Sequence, residues 1–338
     1  MGVKLTPIIQ KKQISFDQLK NKKIMIDAYQ MLYQFLTSIR QPDGTPLMDS
    51  EKNTTSHLVG ISSRITNLIE KGILISVCFD GKSPVLKTKT IEEREFRKQQ
   101  AEKKLEKARE EEDTELMYRY SKQTVRLTDK MIEESKNLLE ALGLPIIQAP
   151  AEADVQISYC CKKGDIWSAA SSDQDCLLFG TPRLLTNLTL SQRKRLPSGA
   201  TVKTTPELID LNENLRGLKI NQEQLIIIGI LVGTDYNIEG IKGIGAKKAL
   251  KLVKENKDYD KLFKDLNADF NWKEIYDIFT KMPVIKDYKL IWNNPDKEKI
   301  KRILVDKHDF NEERVEKTLS KLTNISKIKE QSGLDKWF

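Results

Sequence analysis

Three short apolar runs in this 338-residue chain run into aspartates: "KKIMIDAYQMLYQFL" reaches Asp27, "ILISVCFDGKSP" reaches Asp80, and "DIWSAASSDQD" reaches Asp173 and Asp175. Short apolar runs bounded by turn-forming residues read as strands. After Asp27, helical spacing resumes at Met31, Leu32 and Phe35. Between the runs, "SHLVGISSRITNLIEKG" and "TDKMIEESKNLLEALG" have the period of amphipathic helices and close on Gly72 and Gly143. Strands alternating with helices predict an α/β domain with a mainly parallel central sheet flanked by helices. Ligands of such sheets gather outside the carboxyl ends of the strands, where these aspartates fall. If the third run stays extended to its end, Asp173 and Asp175, two residues apart, share one face of the chain.

Three more acids flank apolar elements. "QAPAEADVQISYC" places Glu152 and Asp154 where Pro150 would open a helix. They do not share a face of a regular helix, so an irregular first turn is expected. "ILVGTDYN" puts Asp235 just after the apolar stretch 225–233. That stretch is about half of the roughly 20 residues that span a bilayer, and it reads as a buried helix. Taken singly, each acid could be a helix cap or a turn residue. Gathered in one cleft, seven carboxylates would raise one another's pKa. Divalent cations remove that conflict. Mg²⁺ prefers oxygen ligands, and two such ions about 4 Å apart clamp the attacking and leaving oxygens of a phosphodiester.

With only two histidines, His57 and His308, chemistry built on imidazole is disfavoured. Lysine and arginine total 57 against 49 acids, a net charge of +8; this fits either an acidic partner or a solvated surface. The four cysteines have no metal-site spacing and are expected reduced and buried. No charged-then-apolar leader opens the chain, so an intracellular location is expected. Residues 87–119 alternate opposite charges at helical spacing. Without an apolar stripe, that helix should project from the domain and move. Lys87 and Arg94, two turns apart, lie on one face of it, with Arg97 close by. "GIKGIGAKK" combines tight turns at Gly240, Gly243 and Gly245 with Lys242, Lys247 and Lys248, a backbone nest suited to a phosphate. The chain ends in "QSGLDKWF", where one helical turn would present Leu334, Trp337 and Phe338 together behind Gln331.

In that order, "IDAYQMLYQFL", "FDGKSPVLK", "APAEADVQ", "SSDQDCLLFG" and "GTDYNIEGIKGIGAKKAL" closely resemble the flap endonucleases of the structure-specific 5′-nuclease superfamily, archaeal branch. The resemblance implies a PIN-like nuclease core over residues 1–325. Within it would lie a helical arch at 87–119 and a helix-two-turn-helix region at 222–255, with a flexible tail at 326–338. It implies cleavage of 5′ flaps from branched DNA at the single-strand/duplex junction in Okazaki fragment maturation and repair, with an associated 5′–3′ exonuclease activity. Two Mg²⁺ ions, replaceable by Mn²⁺, would sit on Asp27, Asp80, Glu152, Asp154, Asp173, Asp175 and Asp235. Lys87 and Arg94 would steer the scissile phosphate, helped by Arg97 and Lys98. Tyr33, from spacing alone either a core aromatic or a stacking platform, would take a base. Gly2 would place a free amine near the site once Met1 is removed. Arg40 and Thr55 match positions that contact a 3′ flap, although the intervening "QPDGTPLMDSEKN" departs from the family pattern. K⁺ would bind the helix-two-turn-helix carbonyls, and the final peptide a replication sliding clamp. The implied location is prokaryotic, cytoplasmic and nucleoid-associated, with no membrane. A non-catalytic junction scaffold would gain nothing from a concentrated negative pocket; a related exonuclease or gap nuclease would share the metals but has less use for an arch.

Overall fold

Alternation along the second strand organises the molecule. Ile24 and Ile26 face one hydrophobic core with Ile75, Val77 and Phe79, while Met25 faces the other with Cys78, Ala169 and Leu184. A strand buried on both faces belongs inside a parallel sheet. The computed structural model describes residues 2–190, 193–195 and 201–322. Its strands are β1 (Lys12–Gln13), β2 (Lys23–Asp27), β3 (Leu74–Phe79), β4 (Ile146–Gln148), β5 (Ser168–Ala170), β6 (Arg183–Thr186), β7 (Arg193–Arg195), β8 (Thr201–Lys203) and β9 (Glu207–Asp210). Seven of them form a sheet in the order β1-β9-β6-β5-β2-β3-β4. The run from β6 to β4 is parallel; β9 and β1 extend it antiparallel, and β7 and β8 pair as a separate hairpin.

The expected helices form. Asp27 ends β2 and caps helix Ala28–Ser38, its carboxylate accepting the Gln30 N–H at 3.1 Å. Ser56–Gly60 and Thr66–Glu70 are joined through a wider helical turn at Ile61–Ile65. Helix Asp129–Ala141 is capped by Thr128. The apolar stretch is the buried helix Gln222–Val232, started by a reciprocal Asn221–Gln224 capping box. No helix among the described residues is long and apolar enough to cross a membrane. All four cysteines are free and buried.

Two expectations need correction. β5 stops at Ala170, so Asp173 and Asp175 do not lie on extended chain. Asp175 opens the short helix Asp175–Leu178, and the Asp173 carboxylate accepts its N–H at 3.0 Å. A capped turn brings the pair together, because a carboxylate two residues before a helix start competes well for an orphan N–H. The charged segment 87–119 is a hairpin of two helices, Thr88–Glu110 and Thr114–Ser121, with Asp113 capping the second. It also docks: Ala101, Leu105, Ala108, Ser121 and Val125 are buried. Small residues scattered among charges are enough to seat a hairpin against a neighbouring loop. Gln331, Leu334, Trp337 and Phe338 lie outside the described residues.

Candidate active site

β2 pairs with β3 on one side and β5 on the other, with Ile26 opposite both Val77 and Ala170. Three adjacent parallel strands therefore end at one edge, delivering Asp27, Asp80 and the Ser171–Asp175 turn side by side. Glu152 caps helix Ala153–Lys163 in extended conformation and Asp154 lies in its first turn, the irregular start that the spacing requires. Asp80 reaches across to that start, accepting the Ala153 N–H at 2.6 Å. Asp175 accepts the Val3 N–H at 2.6 Å, which threads the N-terminal strand of chain against the acids. Only glycine fits at position 2, since a Cβ there would stand 1.7 Å from Asp173 Oδ1.

Burial and mutual repulsion set the electrostatics. Burial first, then the charge of Asp80, pushes the Asp27 carboxyl up to about 8. Asp154 and Asp175 are driven well above the ordinary range by burial, and then by Asp27 and by Asp173 respectively. Asp80 and Asp173 are raised by burial too. Asp235 goes the other way: burial opposes its charge, but Arg94 and Lys87 outweigh it and hold the carboxyl low. These acids thus feel one another across a single cluster in which the carboxylates outnumber the two cations, Lys87 and Arg94. Among the described residues, no three His, Cys, Asp or Glu side chains are already closed into an ion cage. Asp27, Asp80 and Asp175 accept backbone N–H groups, and Glu152 and Asp235 face Lys87 and Arg94.

The two cations come from the charged hairpin. Lys87 Nζ lies 2.6 Å from Glu152 Oε1 and 3.4 Å from Asp235 Oδ2, and Arg94 Nη2 lies 2.6 Å from Asp235 Oδ2. Burial opposes the Lys87 charge, yet Glu152 and Asp235 more than compensate and raise its pKa. A cavity of about 600 Å³ opens here, lined by Gly2, Arg94, Arg97, Asp235, Lys242 and Gly243 among others. It joins Asp235, the one of the seven acids that lines it, to the base of the hairpin and to the glycine turn between helices Gln222–Val232 and Ala246–Glu255. Lys242, Lys247 and Lys248 are exposed on that turn and on the start of the second helix, next to Gly243 and Gly245; Gly240 packs back on Gly233. Tyr33 is half-buried with Lys98 Nζ 5.5 Å from its ring centre. Arg97 pairs with Glu93 at 3.1 Å. Arg40 and Thr55 stand apart, on the 40–55 loop. The Arg40 guanidinium donates to the carbonyls of Leu36 and Gly44, and Thr55 is buried.

Three contacts had no signal in spacing or composition. The Tyr236 hydroxyl donates to Glu152 Oε2 at 2.9 Å, the Cys176 thiol to Asp154 Oδ1 at 2.9 Å, and the Thr90 hydroxyl to the Asp235 carbonyl. Each looks in sequence like an ordinary neighbour of an acid or of a charged run.

The chain matches two family models, the XPG N-terminal domain over residues 1–101 and the XPG I-region over 143–235, together more than half its length. It is 47% identical to flap endonuclease 1 of Hyperthermus butylicus over all of this chain and 99% of that one. Flap endonuclease 1 of Pyrococcus furiosus is 45% identical with the same coverage. This chain belongs to the flap endonucleases. The solved flap endonuclease-1 from Methanococcus jannaschii superimposes with a TM-score of 0.78 at 43% identity, over 97% of this chain and all of that one. The catalytic core of Rad2 in complex with DNA substrate shares the fold, with a TM-score of 0.69 at 24% identity over 94% of this chain and 97% of that one. Flap endonucleases are divalent-metal-dependent nucleases of DNA, which matches a site made of carboxylates with no histidine in it.

Proposed function

We propose that this flap endonuclease cuts 5′ flaps at the junction of single strand and duplex by two-metal-ion hydrolysis, with an associated 5′–3′ exonuclease activity. It would serve Okazaki fragment maturation and repair in the cytoplasm, close to the nucleoid. What supports the reading is that burial and neighbouring acids raise the carboxyls of Asp27, Asp80, Asp154, Asp173 and Asp175, with Lys87 and Arg94 reaching Glu152 and Asp235 beside them.

The donor set suits two Mg²⁺ ions, or Mn²⁺ in their place: Asp27, Asp80, Glu152, Asp154, Asp173, Asp175 and Asp235 offer only hard oxygens, and their repulsion is relieved by dications. Bound there, the ions would supply Lewis-acid stabilisation and an activated water for attack on the phosphodiester. The chain's own residues do the rest. Lys87 and Arg94, now paired with Glu152 and Asp235, are within reach of a scissile phosphate and stabilise the charge it gains. Tyr33 stacks a neighbouring base, and Arg97 and Lys98 guide the flap. With Met1 removed, Gly2 would carry a free amine to the same edge. The turn at Gly240–Gly245, with Lys242, Lys247 and Lys248, holds duplex phosphates at a fixed distance from the cut, and its backbone carbonyls would hold a K⁺ ion. Arg40 and Thr55 border the loop that would meet a 3′ flap. The core spans 1–325, and the tail 326–338 carries Gln331, Leu334, Trp337 and Phe338 to a sliding clamp.

Labelled flap DNA tests this. The full chain should cut one nucleotide position near the junction in Mg²⁺ and not in EDTA, and Asp173→Ala should bind the DNA without cutting it. Equal cutting by that variant refutes the assignment.

A further inference from the structure

Thr90 is only 5% exposed, on a helix whose residues are otherwise mostly charged and open to solvent. Its hydroxyl donates to the main-chain carbonyl of Asp235. The carboxylate of that same residue receives Lys87 and Arg94. Lys87 ends the tight turn Val85–Lys87 that leads into the helix, and Thr90 and Arg94, four apart, share one face of it. Three contacts thus join the base of the hairpin to a single turn, and they differ in kind. The two ion pairs use long, flexible side chains, and they are open to competition from both sides: the proposed metal ions would take the carboxylate and the phosphate would take the cations. The Thr90 bond is short-armed and neutral, and it uses a carbonyl outside the ion-binding set. When substrate and ions draw Lys87 and Arg94 away from Asp235, that bond is the one able to persist.

We propose that Thr90 is a positioning residue: its hydroxyl fixes the rotation of the hairpin base on the Asp235 turn, so that Lys87 and Arg94 meet the scissile phosphate together. This rests on the reading of Lys87 and Arg94 given above. Thr90 touches neither substrate nor ion, and it acts only through those two cations.

Single-turnover cutting of flap DNA, together with the DNA dissociation constant, tests the proposal. Thr90→Val keeps the shape and removes the donor. It should slow cutting roughly fivefold, the scale of one lost hydrogen bond, while affinity for the DNA stays within about twofold. Thr90→Ser should restore most of the rate. In a Lys87→Met/Arg94→Met chain, Thr90→Val should cost nothing further, because the groups it positions are gone. A wild-type rate for Thr90→Val overturns the proposal. So does an equal loss in both backgrounds, which is what a general loss of stability would produce. If Lys87→Met/Arg94→Met itself cuts at the wild-type rate, the role of the cations fails and the proposal falls with it.

Discussion

Glu134 shows how far a single residue's surroundings can override its ordinary chemistry. It is buried between the chain's two histidines, with His57 Nε2 at 3.4 Å, His308 Nε2 at 3.3 Å and Lys307 Nζ at 3.0 Å. Burial alone would raise its carboxyl; His57 and Lys307 hold it at about 2 instead. Asp49, which accepts from His308 Nδ1 at 2.8 Å, is also held at about 2 against its own burial. His57 is shifted the other way, because burial disfavours its charge. A carboxyl depressed on folding contributes stability that is present above its unfolded value, near 4.5, and fades as pH falls towards 2. Urea unfolding in EDTA should therefore show wild type well above Glu134→Gln at pH 6, with the gap closing between pH 4.5 and pH 2. A constant gap would mean that the loss is packing rather than charge. None of this was legible in sequence, where His57 and His308 are 251 residues apart. The acids of the proposed metal site were legible, because Asp27 ends and Asp80 directly follows a strand whose alternation is plain. Tyr236 and Cys176 were not, since a hydroxyl and a thiol turned onto a carboxylate leave no periodic trace.

At the scale of elements, the charged hairpin separates what pattern reveals from what packing decides. Alternating charge correctly marks helix, but Lys87 falls in the turn just before it rather than on its face; Lys87 and Arg94 nevertheless converge on Asp235. The break at Asp113 and the docking of the hairpin were missed. They depend on Ala101, Leu105 and Ala108, which recur at four- and three-residue spacing but make a stripe of one leucine between two alanines, too narrow to stand out among the charges. The contact is close: Gly44, at φ +85°, backs onto the second helix so tightly that a Cβ would stand 2.7 Å from Tyr118 Cα and 2.5 Å from Ser121 Oγ. The 40–48 loop therefore acts as a seat for the hairpin. Gly44→Ala should loosen that seat. Amides of Thr88–Glu110 and Thr114–Ser121 should exchange about tenfold faster, from a left-handed strain of about 1–2 kcal/mol, while those of β2 and β3 keep wild-type protection. Unchanged exchange in the hairpin would mean that other contacts hold it. The Asp173–Asp175 turn teaches the same lesson on a smaller scale. The apolar run identified the strand, but the competition between extension and a capped helix start was settled by one side-chain hydrogen bond.

Across the whole molecule, the parallel order β6-β5-β2-β3-β4 brings Asp27, Asp80 and the Asp173–Asp175 turn to one edge, and the helix Gln222–Val232 leads Asp235, 208 residues from Asp27, to the same acids. The fold class could be read from the sequence because strand, acid and helix recur in fixed order. The antiparallel additions β9 and β1, and the ties from the His308 segment to the 49–57 region, could not, because short edge strands and single polar contacts carry too little pattern. The cluster as a whole holds more buried negative charge than Lys87 and Arg94 balance, and the central claim is that two divalent ions complete it. Anomalous diffraction from crystals of the full chain soaked in Mn²⁺ measures this directly. Two peaks about 4 Å apart among Asp27, Asp80, Glu152, Asp154, Asp173, Asp175 and Asp235 are expected. Density for manganese elsewhere on the surface, with none among these seven carboxylates, would contradict the account.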